Sequence, residues 1–391
     1  MEAELVGGAT RRPAWVAMIA FAAVGGVTQL LWLTYAPITS DAASHYGVSE
    51  TAIGWLANVF PLWYVVLAIP VGMALDRRLR STVALGAALT AAGAIARLLG
   101  DSFVMAMVGQ TLVAIAQPLV VTAITPMAAR YLAEQDRAKG IAFATASTFA
   151  GMIVAFGLST AVSLTAALRI DAVVAVVCGV FLVLTLRSQP ASNEATPAGA
   201  ISDFREAWRN PVVRRMCLLV PVPFGTFTAL TTWAEPLLKP AGVTTDQAGL
   251  MLMLNVVAGV VGCAVIPVWA AQHGRRRTAL LVGVAVTITG CVLLAIAPSF
   301  ALGVACFAVI GLLLLAALPI VLELSERAAG RAAGAAAGLV WMAGQLGALV
   351  VTGVAGAMVD APTACFLFLA VVTAAAVPAV PRDRPALVPV A

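Results

Sequence analysis

The chain has 391 residues, 62% of them hydrophobic and 10% charged, and carries a net charge of +5. A water-soluble domain has about 25% charged residues, so too little polar surface exists here for a globule facing water. The basic residues are scattered through short gaps rather than gathered in a stripe, which argues against nucleic acid as a partner. Of the 23 Lys and Arg residues, all but Arg97, Arg169 and Lys239 fall in alternate gaps between apolar stretches or in the two tails. That bias predicts a multi-pass protein of the cell membrane with both termini cytoplasmic.

The chain opens with Arg11-Arg12-Pro13 and an apolar run over 14–39. The run is too long for the apolar core of a signal peptide and suits a retained spanning helix of about 20 residues or more. Eleven further spans follow, over 50–75, 81–99, 102–132, 138–162, 167–186, 212–238, 245–271, 277–297, 299–323, 332–357 and 361–380. Period-two alternation is absent, so these read as helices and not barrel strands. The longest gap, 187–211, starts with the polar run Ser188-Gln189-Pro190-Ala191-Ser192-Asn193. It continues with Ile201, Phe204 and Trp208 on one helical face, which predicts a short amphipathic helix on the inner membrane surface. The expected organisation is an all-α membrane protein of twelve transmembrane helices in two pseudo-symmetric six-helix bundles. Residues 1–186 form the first bundle, 187–211 a cytosolic linker and 212–391 the second bundle.

The two halves resemble each other. A shift of 195 residues sets Gly47-Val48 on Gly242-Val243, Gly54 on Gly249, and Leu79-Arg80 on Gly274-Arg275. Pro126 and Pro319 fall in the fourth helix of each half. Repeated halves around a central path are a common way to build alternating access.

The stretch from Gly72 to Arg80 joins the second and third spans. It holds Asp76, Arg77, Arg78 and Arg80. Gly72 suits a close helix approach, and Asp76 at a helix end suits pairing with Arg77, Arg80 or a helix amino terminus. A glycine, an acid four residues on and then a basic run resemble the signature loop of the major facilitator superfamily. The resemblance implies that Gly72, Asp76, Arg77 and Arg80 gate the transport cycle. The pattern has Gly where this chain has Leu79. The second half has Ala271 at the acid position, so the latch is expected on one side only.

A narrower resemblance rests on Trp32-Leu-Thr-Tyr35-Ala-Pro-Ile38, Tyr46-Gly47-Val48-Ser49, Ala52-Ile-Gly-Trp55-Leu56, Tyr64, Pro70, and the stretch from Val108-Gly109-Gln110 to Gln117. These look like the feline leukaemia virus subgroup C receptor family, carriers linked to choline, ethanolamine and haem. The resemblance implies that Trp32 and Gln345 line a central site. This chain has Phe149 and Thr228 where the family has a glutamine and an aromatic.

Read from the residues alone, Gln29 lies beside Trp32 and Tyr35. Gln110 and Gln117 share one face of the fourth span, and Thr228, Thr231, Thr232 and Glu235 share one face of the seventh. Polar groups inside hydrocarbon need a partner or water, so these faces should meet a cavity or another helix. An aromatic beside uncharged amides suits a modest organic solute, and aromatic faces attract quaternary ammonium. Glu235 reads as the one acid placed to draw a cation into an outer cavity. No acid is expected at mid-span, which favours facilitated transport over proton coupling.

No phosphate-binding loop, nucleophile–base pair or metal set is visible, so neither an enzyme nor a bound cofactor or metal is expected. The expected partners are a small-molecule substrate and the lipid bilayer, with the chain a monomer. The leading expectation is a secondary transporter. A proton-driven exporter and a non-transporting receptor or scaffold are the alternatives.

Overall fold

The computed structural model describes residues 2–188 and 201–381. The polar run from Gln189 to Asn193 and the carboxyl-terminal tail lie outside them. The described residues form helices joined by short turns. The first part of the chain folds into α1 (Glu2–Leu33), α2 (Thr39–Tyr46), α3 (Glu50–Ala96), α4 (Phe103–Val121), α5 (Ile124–Tyr131), α6 (Glu134–Ala161) and α7 (Leu164–Ser188). Then come α8 (Ile201–Arg209), α9 (Pro211–Leu219), α10 (Pro221–Leu238), α11 (Thr245–Gln272), α12 (Arg276–Ile296), α13 (Phe300–Ala329), α14 (Ala333–Gly356) and α15 (Pro362–Ala374).

Among the described residues, 10 helical stretches are long and apolar enough to cross a membrane. Two of them are too long to cross once. The 47 residues of α3 would reach about 70 Å at 1.5 Å per residue, against a hydrocarbon core of about 30 Å. Its backbone leaves helical geometry at Arg78 (φ −146°, ψ 58°), where Ser81 Oγ donates to the Arg78 carbonyl (3.1 Å). The 57-residue stretch Phe300–Gly356 turns at Gly330, which has φ +56°. Each is long enough to cross twice, which makes twelve candidate spans among the described residues.

Some boundaries differ from expectation. The first span ends at Leu33, and a 3-10 turn (Ala36–Ile38) carries the chain into α2. Pro37 removes an amide hydrogen there, which stops the helix from running on. The fourth span breaks at Thr122 and Ala123 ahead of Pro126, and the seventh breaks at Val220 ahead of Pro221. Thr122 and Val220 keep near-helical dihedrals, and it is the missing amide of Pro126 and of Pro221 that leaves a gap in the ladder.

The repeat read from the sequence has a conformational basis. Gly47 and Gly242 both adopt positive φ (65° and 80°), a region open to glycine without steric cost. Ser49 caps α3 by accepting from the Ala52 amide (3.2 Å). Thr244, 195 residues on, accepts from the Gln247 amide (3.3 Å) while Gln247 Oε1 accepts from the Thr244 amide (3.1 Å), a reciprocal capping box.

Two compact units are present. One holds the described residues of Met1–Ala198 together with Leu230–Val256, and the other those of Gly199–Ala229 and Val257–Ala391. In the first unit, Phe21, Val83, Val120, Met127 and Leu182 are buried in the main core. A second cluster, with Tyr35, Ala42, Ile53, Leu56, Ala106 and Leu168, sits at the Gly47 end. Helix α7 shows why apolar residues also lie outside. Val173, Val177 and Leu184 are exposed while Ala172, Ala175, Gly179 and Leu182 are buried, so one apolar stripe packs and the other suits lipid.

In the second unit, Met216, Val284, Ile320, Ala336 and Val340 are buried in the core. Arg215 of α9 donates to the carbonyls of Pro378, Ala379 and Val380 (2.9–3.0 Å) and fixes the chain after α15. Helix α8 corrects one expectation. Phe204 packs on the unit's own core and Ala207 is buried, while Trp208 is half exposed. The predicted apolar face is therefore divided between protein and surroundings.

Candidate functional site

Helix α1 and the turn after it are buried without a break from Val24 to Ser40, with one exception. The exception is Trp32. Its indole Nε1 donates to the Ala57 carbonyl (3.0 Å) and its ring stacks on Phe60, with centroids 5.8 Å apart. The ring is thus held in one orientation with part of its surface open. Gln29, one turn earlier, is 6% exposed, and its amide lies 3.5 Å from Thr28 Oγ1.

The other predicted lining residues divide by surroundings. Gln110 is fully buried and spends its amide donors on the carbonyls of Leu31 (3.1 Å) and Leu56 (3.3 Å). It joins three helices, the bridging role that buried amides often take. Gln117 is buried on the same helix, next to Pro118 and one turn before the helix break. Tyr35 lies in the apolar cluster of the Gly47 end with its hydroxyl 3.5 Å from that of Tyr46. In the second unit, Gln345 of α14 is buried. Phe224 and Trp341 of the same unit meet edge to face (5.7 Å). Thr228 Oγ1 donates to the Phe224 carbonyl (2.9 Å).

Thr231 and Glu235 fall in the part of α10 that belongs to the first unit. Thr231 is buried. Glu235 is 2% exposed. Its Oε2 accepts from the Ser40 amide (2.9 Å) and lies 3.0 Å from Ser40 Oγ. Here the carboxylate faces protein, not an open cavity. Beside it, Trp233 packs so closely on α3 that a Cβ on Gly54 would overlap its ring. A Cβ on Gly249 would stand 2.6 Å from Thr160 Cγ2. The two repeated glycines thus both allow close helix approaches.

The loop expected to gate departs from its reading. Nothing lies within 4 Å of where a Gly72 Cβ would stand, so Gly72 is at no close approach here. Arg77 is exposed and Arg80 half buried. Leu79 is buried in the core, which explains why an apolar residue takes the place of the family's glycine. Arg130 Nη2 donates to the backbone carbonyl of Asp76 (3.2 Å) and ties the loop to α5. The second half ties its corresponding loop with the charge reversed. Glu323 accepts from Arg276 Nε (3.1 Å) and Nη2 (2.8 Å) and pairs with Arg327 (2.8 Å).

One acid within a span was not anticipated. Asp171 lies inside the span of α7 and is fully buried. It pairs with Arg97 (Nη2 to Oδ2, 3.1 Å), and both side chains are 0% exposed. Thr34 Oγ1 donates to the same Oδ2 (2.8 Å). The signal was present: Asp171 is an acid within an apolar run, and Arg97 is one of three bases on the wrong side of the charge pattern. Two violations of the pattern compensate each other, since a charge in a low-dielectric interior needs a partner.

The family profile of the Major Facilitator Superfamily matches residues 14–352. "Solute carrier family 49 member A3" of Danio rerio is 27% identical over 344 residues, covering 81% of this chain and 72% of that protein. "Choline/ethanolamine transporter FLVCR1" of Felis catus is 34% identical over 110 residues, 27% of this chain and 20% of that one. A solved bacterial homologue of the human lysosomal transporter Spinster, inward-facing and unoccupied, superposes with a TM-score of 0.72 at 14% identity, over 94% of this chain and 95% of that one. These are membrane carriers and not enzymes. With the profile spanning most of the chain and the fold shared along nearly its whole length, this protein belongs to the Major Facilitator Superfamily.

Proposed function

We propose that the chain is a secondary transporter moving a small organic solute by alternating access, with residues 1–186 and 212–391 as its two moving halves and 187–211 as their cytosolic linker. In this reading the Gly47 end faces outside and the Arg78 end faces the cytosol of a cell-membrane protein. Trp32 carries the reading. One partly open indole in a segment otherwise buried from Val24 to Ser40 offers an aromatic surface to a solute. An oriented indole face attracts ammonium by about 0.5–2 kcal/mol. The relatives named as choline and ethanolamine transporters support small amino alcohols as the first class of solute to test. Gln29, Gln117, Thr228 and Gln345 would supply the uncharged polar contacts, and Asp76, Arg77 and Arg80 the inner gate.

The expectation of a gradient-independent carrier rested on the absence of an acid at mid-span and did not count Asp171, a buried carboxylate within α7. Proton coupling is therefore the second reading. Proteoliposomes loaded with choline or ethanolamine test both. Counterflow of labelled solute that persists at equal pH supports facilitated transport, and uptake that needs a pH gradient supports coupling. Absence of counterflow for either solute, together with no thermal stabilisation of the purified protein by amines, would refute the amino-alcohol reading.

A further inference from the structure

We propose that Glu50, Ser40 and Glu235 form a proton-binding site that holds the outer ends of the first and seventh spans together. The inference rests on the transport reading and its orientation for its consequence, and on geometry for the site itself. Ser40 Oγ lies 2.5 Å from Glu50 Oε1 and 3.0 Å from Glu235 Oε2. A hydroxyl has one proton to donate, and an ionised carboxylate only accepts. With both acids ionised, one of the two contacts sets lone pair against lone pair. One added proton, on Glu235, turns both contacts into hydrogen bonds: the Glu235 carboxyl donates to Ser40 Oγ, and Ser40 donates to the Glu50 carboxylate. The 2.5 Å separation is at the short end expected of a charge-assisted O–H···O bond, about 2.5–2.7 Å.

Ser40 (3% exposed) and Glu235 (2% exposed) are buried and Glu50 is half-buried, so water reaches the two negative charges only from the Glu50 side. Lys239 and Glu50 are the charged groups acting on Glu235, and Lys239 is exposed. The other charged neighbours at this end are engaged elsewhere. Asp41 Oδ2 accepts from Thr245 Oγ1 (3.3 Å), His45 lies 2.6 Å from Asp101, and Arg97 faces Asp171. Tyr35 and Tyr46 face each other. Opening the outer side requires Ser40 to leave Glu235, and the bridging proton is then free to pass to the outside solution.

The test uses the full chain with its six native cysteines replaced and spin labels at positions 44 and 241, both exposed. Electron–electron distance distributions are recorded in lipid nanodiscs from pH 5 to pH 9, so no solute is needed. A latch holding one more proton closed than open shifts its equilibrium by up to about tenfold per pH unit. The long-distance population should therefore grow as pH rises. Glu50→Gln supplies a permanent donor to Ser40 and should keep the distance short at every pH. Glu235→Gln should do the same if Glu50→Gln fails to fold. A histidine also titrates in this range, so His45→Gln is the control and should leave the pH response in place. Distributions that do not change with pH, or a response abolished by His45→Gln, would overturn the proposal. Solute counterflow is read separately. Its absence beside an intact pH response would sink the transport reading and leave the proton site standing.

Discussion

Replacing Asp171 by asparagine should destabilise the first unit far more than its single-atom change suggests. The amide keeps the volume and still accepts from Thr34, but Arg97 then carries an uncompensated charge with its side chain 0% exposed. At 3.1 Å and an effective dielectric of about 20, the lost attraction is about 5 kcal/mol. Arg97 Nε and Nη1 and Asp171 Oδ1 have no hydrogen-bond partner among the described residues, so the pair is incompletely satisfied. Its net worth over an apolar replacement is therefore small, although breaking it costs about 3–5 kcal/mol. The two costs separate in a mutant cycle. Asp171→Asn should raise the unfolding equilibrium constant in detergent by two to three powers of ten, at about 1.4 kcal/mol each. Arg97→Met with Asp171→Leu should recover most of that loss. Denaturant titration followed by tryptophan fluorescence reads both. A loss below about 1 kcal/mol, the value of a surface pair, would refute the reasoning, as would a double variant no better than the single one.

Gly54→Ala places a methyl group on the Trp233 ring and should shift the 44–241 distance distribution outward, whereas Gly47→Ala, with nothing within 4 Å, should change only the loop. Trp32→Ala should weaken amine binding at least tenfold with little loss of expression, and Gln345→Ala should weaken it less; thermal-shift titration reads both, and unchanged affinity in the pair would move the site elsewhere. Gly72→Ala should be neutral in stability within about 0.5 kcal/mol, because its Cβ meets open space; a strongly impaired transport rate with normal stability would show that a close approach forms in another conformation. Asp76→Asn should lower the transport rate without lowering the melting temperature, measured by counterflow beside a thermal scan.

The membrane class, the helix count and the family were legible because each rests on a one-dimensional signal: apolar length, charge alternation, or residues at fixed spacing. Gly54 and Gly249 were legible as a repeat but not as contacts, because a glycine does not name the ring or methyl group that it admits. Asp171 was missed for the opposite reason. Its partner Arg97 is 74 residues away, and no local pattern links them. Gln110 and Gln117 share a helical face, yet one is consumed in bridging three helices and only the packing of neighbours tells them apart. Gly72 matched its signature, but the signature reports a role in a cycle and not a contact in each of its states.

The first span is organised around its break. Trp32 precedes the break and Ser40 follows it. Between them Thr34 is tied to Asp171, which is tied to Arg97. A buried ion pair is a stiff anchor, since moving one charge away from the other strands both. The segment carrying Ser40 is therefore fixed to the helices of its own half. The helix carrying Glu235 is weaker. It starts at Pro221 after the interruption at Val220 and contains Pro236 one residue beyond the carboxylate. A proline inside a helix removes one hydrogen bond and crowds the preceding turn, and such points are where helices bend. When the contact at Ser40 parts, α10 should be the element that moves. Trp32, on the other side of the break from Ser40, should then keep its place on Ala57 and Phe60. The solute platform and the outer closure sit on one anchored segment, while the moving partner brings the second acid. Opening can thus change access to Trp32 without changing the orientation of its ring.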